Sequence, residues 1–276
     1  MKIPYKKMHG TGNIILVIDQ RLGNLLPPSS DILQLLGDEN TGPGFDQLMW
    51  LGPSTSNNHL ASYQIFNSDG TKAKQCGNGV RCVAKYLAEI EKNIKSFSLL
   101  SPSGLVAADI HEDGSVEVSM GIPSFEPNDI PFLAKEKKIL YKLMINNEEI
   151  EFSALSLGNP HVVVTVNSIN NADIDTIGPL IQNHNIFPDQ ANVGFMRIIN
   201  RKHIELRVYE RGAGETAACG TGACAAVISG QKRGLLDNEV SVQLLGGQVM
   251  VSCDGNKGPV WLKGDAIFVS DGVIEL

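Results

Sequence analysis

Apolar and polar residues alternate along much of the chain in short runs that predict β-strands. Such runs cover residues 3–9, 14–19, 47–51, 62–67 and 97–101, then 151–157, 162–166, 193–199, 203–209 and 240–244. β-Branched and aromatic side chains fill them, and Gly, Asn, Pro and Asp bound them. The helical period is rarer. From Gly77 to Glu91, Val80, Val83, Ala84, Tyr86, Leu87 and Ile90 recur at helical spacings, whereas Gly220 to Arg233 starts apolar almost all round and predicts a buried helix. Residues 33–36 and 174–181 predict shorter surface helices.

The pattern occurs twice. Cys76-Gly77-Asn78-Gly79-Val80 is echoed by Cys219-Gly220-Thr221-Gly222-Ala223. A strand ends at the same distance before each cysteine, at Asn67 and at Glu210. A glycine follows each at the same distance, Gly104 and Gly247, and opens another alternating strand. Upstream, Gly12-Asn13 is matched by Gly158-Asn159. So many agreeing offsets predict an α/β (α+β) fold of two pseudo-symmetric halves, each a β-rich shell around a central buried helix. The active site is expected in the cleft between them. The boundary is expected between residues 128 and 150, giving a half 1–130 with Cys76 and a half 131–276 with Cys219, the C-terminal segment able to pack back on the first.

Composition narrows the function classes. Apolar residues make up 42% and charged residues 19%, enough to bury a sizeable core. The longest obvious apolar run, residues 14–18, falls far short of the ~18 residues of a membrane span. The start, Met1-Lys2-Ile3-Pro4-Tyr5, enters a strand without the apolar region of a signal peptide, so a cytoplasmic protein with no membrane partner is expected. Basic residues number 23 against 30 acidic, with no basic cluster, so no nucleic-acid partner is expected either. The five cysteines, Cys76, Cys82, Cys219, Cys224 and Cys253, are odd in number and widely spaced, which argues against a disulfide framework. Their spacings match no usual zinc pair, so no metal is expected.

Two of these cysteines open helices. A cysteine directly before Gly-x-Gly and an apolar helical run sits at a helix N-terminus, where unused N–H groups and about half a positive charge favour a thiolate. The glycines let a carboxylate approach the same amides. One such turn reads as a nucleophile, a redox thiol or a structural cap. Two of them facing one cleft would hold the α-carbon of a bound amino acid between two sulfurs. One thiolate would then remove the α-proton while the opposite thiol returns a proton to the other face, the helix termini stabilising the enolate-like charge. Asn13, Asn67, Asn159 and Asn192 lie beside turns at the edges of apolar segments and offer both donors and acceptors. His161 and Glu210 are a titratable pair able to tune the thiols, and Arg211 suits bidentate capture of a carboxylate. Singly, each of these is an ordinary turn or core residue.

Taken together, the segments resemble diaminopimelate epimerase. Those that carry the likeness are Met8-His9-Gly10-Thr11-Gly12-Asn13, Gly44-Phe45-Asp46-Gln47, Phe66-Asn67-Ser68-Asp69-Gly70, the two cysteine motifs extended to Cys82 and Cys224, Gly158-Asn159-Pro160-His161 and Glu210-Arg211-Gly212-Ala213-Gly214-Glu215-Thr216. They run in the family's order from residue 8 to the C-terminus. The resemblance implies a cofactor-independent enzyme interconverting LL- and meso-diaminopimelate, on the bacterial route to lysine and peptidoglycan. It implies Cys76 and Cys219 as the acid–base pair, Cys219 accepting and Cys76 donating in the LL-to-meso direction. His161 and Glu210 would adjust the thiols. Asn13, Gln47, Asn67, Asn159, Asn192 and Arg211 would bind substrate, and the backbone of Gly77-Asn78 and Gly220-Thr221 would hold the carboxylate. Two positions depart from the family pattern. Ile14-Ile15 stands where Asp-Phe usually follows Asn13, and Ser270 precedes Asp271-Gly272 where a tyrosine often makes a dimer contact, so a homodimer would form without that tyrosine. Among alternatives, a proline racemase or hydroxyproline epimerase of the same fold is nearest. A thiol-redox or cysteine-hydrolase enzyme would leave the duplicated turn without a role, and a non-catalytic amino-acid binder would bind without exchanging α-hydrogen.

Overall fold

In the computed structural model, which describes residues 2–23, 25–92, 94–254 and 258–275, the sequence echo becomes an echo of strand pairing. β1 (Lys2–Gly10) turns through Thr11 and Gly12, both at positive φ, into antiparallel β2 (Asn13–Asp19), with Gly10 opposite Asn13. After α1 (Ser30–Gly37), β3 (Gln47–Gly52) runs parallel to β2, β4 (Ala61–Asn67) antiparallel to β3, and β5 (Lys72–Ala73) antiparallel to β4. Then α2 (Gly77–Ile90) leads to β6 (Ser96–Ser101), parallel to β4, followed by antiparallel β7 (Gly104–Ile110) and β8 (Val116–Ser119).

The second series repeats each step. β9 (Tyr141–Ile145) pairs with β10 (Glu148–Ser156), which is antiparallel to β11 (Pro160–Thr165). After α3 (Ile174–Gln182), β12 (Asn192–Asn200) runs parallel to β11, β13 (His203–Glu210) antiparallel to β12, and β14 (Gly214–Thr216) antiparallel to β13. α4 (Gly220–Lys232) then leads to β15 (Glu239–Leu244), parallel to β13, and antiparallel β16 (Gly247–Ser252). β17 (Trp261–Gly264) and β18 (Ile267–Glu275) end the chain, and β18 pairs with β1 from Glu275 opposite Lys2 to Ile267 opposite His9.

The mixed α/β class expected from the sequence is the one observed. Two compact units form, Met1–Ser119 with Lys263–Leu276, and Met120–Leu262. The first boundary falls after Ser119 instead of at 130, and the C-terminal segment, which the sequence allowed to pack back, belongs to the first unit. The stretch 128–150 lies wholly inside the second unit, because its strand β9 pairs with β10, and β18 joins the first unit because its backbone completes the edge of β1.

Within each unit the strands are covered on both faces, which accounts for continuous apolar runs such as Ile14–Ile18. Leu16, Ile18, Leu48, Trp50 and Phe66 pack with Leu33 and Leu36 of α1, while the alternate residues Ile15, Met49 and Ile65 point the other way, toward α2. In the second unit Val162, Val164, Val193 and Phe195 pack with Ile174 and Ile181 of α3, leaving His161, Asn192, Leu206 and Val208 on the α4 side. α4 is buried from Gly220 to Gly230, whereas α2 exposes Glu89 and Ile90 at its end. Among the described residues no helix is long and apolar enough to cross a membrane.

Candidate active site

Strand register decides which polar residues join each cysteine turn. In the first unit Asn13, Gln47 and Asn67 all stand on the α2 side, at the strand ends nearest the start of that helix, with Gln47 directly opposite Asn67. Gln47 Nε2 donates to Asn67 Oδ1 at 3.0 Å, and Asn67 Nδ2 donates to Thr71 Oγ1 at 3.0 Å. Asp46 accepts from the Ile14 amide at 2.7 Å and so braces the turn that carries Asn13, although the usual acidic residue after Asn13 is absent. Asn13 Oδ1 and Gln47 Oε1 are buried without a hydrogen-bond partner in the protein. Two buried acceptors left unsatisfied mark a place where a ligand donor belongs.

Cys76 is the N-cap of α2: its sulfur accepts from the Gly79 amide at 3.1 Å. Cys76 is 8% exposed, Asn78 is buried, and Tyr63 lies near the sulfur, its hydroxyl hydrogen-bonded to Ser101. Burial holds the Tyr63 phenol well above its ordinary pKa, so this neighbour stays neutral.

The second unit places Asn159, His161, Asn192, Glu210 and Cys219 in the equivalent positions, and it is the more polar of the two. His161 stands where the first unit has Ile15, and Glu210 where it has Asn67. A hydrogen-bonded chain runs from the imidazole to the sulfur. His161 Nε2 donates to Asn159 Oδ1 at 3.0 Å, Asn159 Nδ2 to Thr221 Oγ1 at 3.3 Å, and Thr221 Oγ1 meets Cys219 Sγ at 3.6 Å. With Oδ1 as the acceptor, the imidazole proton sits on Nε2. From the other side the half-buried Glu210 hydrogen-bonds Cys219 and takes a hydrogen bond from the Thr216 hydroxyl.

These contacts set the charge states. Burial, reinforced by the charge of Arg211, pushes His161 down to about 3, so the ring is neutral at physiological pH. Burial also raises Glu210, against the hydrogen bonds from Thr216 and Cys219 that favour its ionised form. The Cys219 thiol is raised well above its ordinary value, by burial first and by the Glu210 carboxylate second, and the amides and hydroxyl of its own turn only partly oppose this. The helix N-terminus alone led to an expectation of a favoured thiolate; at Cys219 desolvation and an adjacent anion outweigh it. Cys219 therefore rests as a thiol in hydrogen-bond contact with the Glu210 carboxyl group.

Arg211, expected to capture a carboxylate, lies in the turn directly after β13. It is exposed, its guanidinium donates to the Asp189 carbonyl at 3.0 Å, and its backbone N–H donates to Asn192 Oδ1 at 2.9 Å. Asn192 is buried and also donates to the Pro160 carbonyl, so it ties β11, β12 and the turn after β13 together. Gly77, Gly220 and Thr221 are buried in the first turns of their helices, where intrahelical bonding leaves amides unused. The sequence alone singles out neither Thr216 nor Tyr63. Thr216 ends the motif that begins at Glu210, which is a signal in the chain; Tyr63 reads simply as a strand aromatic.

Comparison with known proteins agrees along the whole chain. The family model for diaminopimelate epimerase matches residues 5–126 and 153–269. The diaminopimelate epimerase of Nitrosomonas europaea is 44% identical over 278 residues, spanning 100% of this chain and 100% of that one. The one from Chromobacterium violaceum is 43% identical over 279 residues, with 100% of both spanned. Among solved structures, a hydroxyproline epimerase from Agrobacterium vitis with bound trans-4-hydroxy-L-proline aligns with a TM-score of 0.73 at 17% identity, over 99% of this chain and 92% of that one. A PhzF-family phenazine biosynthesis protein of Bacillus anthracis aligns at 0.68 and 15% identity over 100% of both. At these identities the two structures show a shared fold.

Proposed function

This chain belongs to the diaminopimelate epimerase family, and on that premise we propose that it interconverts LL- and meso-diaminopimelate without a cofactor, using Cys76 and Cys219 as its acid–base pair. The observation that carries the reading is the duplication itself. Inversion at carbon needs one group to take the α-proton and another to supply a proton on the opposite side. The chain builds two cysteine-led helix starts, each in the same strand setting and each with polar residues at the same register positions. A single-nucleophile mechanism would leave one of them idle.

In the LL-to-meso direction Glu210 takes the Cys219 proton, the Cys219 sulfur accepts the α-proton of the substrate, and the Cys76 thiol returns a proton. The reverse direction exchanges the two roles. Neutral His161, through Asn159 and Thr221, holds the hydroxyl beside the Cys219 sulfur. The substrate carboxylate at the reacting carbon is bound by the amides of Gly77-Asn78 and Gly220-Thr221, where the helix dipoles disperse the enolate-like charge. Asn13 Oδ1 and Gln47 Oε1 accept from the substrate ammonium groups, which supplies the donors their buried positions lack. Asn67, Asn159, Asn192 and Arg211 complete the binding set. The reaction is cytoplasmic in this reading. A homodimer would form without the family's C-terminal tyrosine, because Ser270 stands there, exposed on β18 opposite Lys7.

Incubation of LL-diaminopimelate with the protein in D2O should place deuterium at one α-carbon and yield meso product, while proline and lysine stay unlabelled. Cys76→Ala and Cys219→Ala should each lower turnover by a factor of at least about 10³, the scale of losing a general acid–base group. Undiminished turnover in either variant would overturn the assignment, and labelling of proline in preference would redirect it to a proline racemase.

A further inference from the structure

The hairpin after Glu210 carries a residue that none of these roles uses. We propose that Thr216 is a positioning residue whose hydroxyl fixes the Glu210 carboxylate so that its second oxygen is presented to Cys219. The inference rests on the two-thiol reading given above and names a device within it.

The strand geometry supplies the first argument. β14 pairs with β13 so that Thr216 is opposite Val208, Glu215 opposite Tyr209 and Gly214 opposite Glu210. Thr216 and Glu210 therefore share one sheet face as a diagonal pair, within reach of a short side chain. Thr216 Oγ1 donates to Glu210 Oε1. On the other face Arg207 clamps Glu215 with Nε to Oε1 at 2.5 Å and Nη2 to Oε2 at 2.7 Å, which locks β14 in place. The hydroxyl is thus delivered by a strand held rigid from behind.

The molecule carries its own control. In the first unit β5 pairs with β4 by the same rule, Ala73 opposite Ile65 and Lys72 opposite Phe66. The counterpart of Glu210 is Asn67 and that of Thr216 is Ala73. Where the carboxylate is replaced by an amide, the hydroxyl is gone as well, and Asn67 is held by Gln47 and Thr71 instead. The pairing of hydroxyl with carboxylate is specific to the cysteine that touches a base.

The titratable and charged groups around Glu210 are Cys219 at the head of α4, His161 on β11, which is neutral, and Arg211 immediately after β13; Arg207 and Glu215 neutralise each other on the far face. A donated hydroxyl stabilises the ionised carboxylate against its burial. Without it Glu210 protonates at higher pH, while the second step, loss of the Cys219 proton beside an already ionised carboxylate, is little changed.

The test compares Thr216→Val and Thr216→Ala, which lack the hydroxyl, with Thr216→Ser, which keeps it. The acidic limb of kcat/KM should move up by about one pH unit in T216V and T216A, the scale of one hydrogen bond to a charged group. The alkaline limb should stay in place, kcat should fall by about ten-fold, and T216S should track the parent protein. Infrared titration of the Glu210 carboxyl, identified by subtracting Glu210→Gln, should show the same rise with no substrate present. Superimposable profiles and titrations in the parent and T216V would overturn the proposal, as would a T216S variant as impaired as T216A. If the parent protein leaves diaminopimelate unlabelled yet the infrared shift appears, the function assigned above falls while the role of Thr216 toward Glu210 stands.

Discussion

His161 shows how one residue's surroundings reverse its ordinary behaviour. The ring is 1% exposed, hydrogen-bonded through Nε2 to Asn159, and held down to about 3 by burial and by Arg211. In the unfolded chain it titrates near 6.5. Between those two values the unfolded state binds a proton that the folded state refuses, so stability rises with pH through this window and is lost as pH falls. The slope approaches about 1.4 kcal/mol per pH unit, so between pH 6.5 and 4.5 the imidazole should cost about 2–3 kcal/mol. Urea denaturation of the parent protein and His161→Gln at both pH values checks this: the parent should lose that much more than the variant, and equal losses would mean that the ring is protonated in the folded state. The sequence leaves two readings of this histidine open, a titratable tuner and an ordinary core residue, because the burial comes from strands distant in the chain.

Helix α4 and its strand β13 approach one another at Gly222, and that contact explains the spacing of the cysteine motif. A Cβ at Gly222 would stand 3.0 Å from Val208 Cγ2 and 3.2 Å from Cys219 Sγ; at Gly79 it would stand 2.6 Å from Met49 Sδ and 3.2 Å from Cys76 Sγ. In both turns glycine is needed because the sulfur folds back over the helix start. The two sites differ in what can yield. Met49 ends in a flexible thioether, whereas Val208 is a stiff β-branched side chain on a strand paired on both sides. Gly222→Ala should therefore cost about 1–3 kcal/mol and lower kcat by more than ten-fold, with Gly79→Ala milder in stability. Thermal unfolding and turnover of the two variants give the comparison, and a costlier Gly79→Ala would contradict it. At this scale the sequence was legible where elements are long: both central helices and all the longer strands of the two repeats follow its periodicity. β5 and β14 have 2 and 3 residues, too few to show a period, and with β14 the role of Thr216 stayed hidden.

At the scale of the molecule the duplication was readable because it leaves matching offsets in the chain, and the sequence allowed the C-terminal segment to pack back on the first half, but the strand partner and register of that segment were not readable. β18 exposes Ile267, Phe268, Val269 and Val273, so its pattern announces no buried face, and its partner β1 lies at the opposite end of the sequence. Yet its contribution to the first unit is substantial. It covers the free edge of β1, and the loop before it supplies the Asp265 carbonyl that accepts from Nε of Arg81, a fully buried guanidinium whose Nη2 also holds Thr11 beneath the turn carrying Asn13. A chain of residues 2–119 alone would leave β1 with β2 as its neighbour and withdraw one acceptor from a buried cation, a loss on the order of 2–3 kcal/mol for the hydrogen bond alone, a large share of a domain's net stability. Because Glu275 lies opposite Lys2 in antiparallel register, an Asn-Gly turn can join them. The rearranged chain 263–275, Asn-Gly, 2–119 should then fold alone, with dispersed amide resonances and a single cooperative thermal transition, while 2–119 should show neither. Equal folding of the two would mean that β1 and the buried Arg81 are secured without the last strand, and that the division of the chain into units follows sequence order after all.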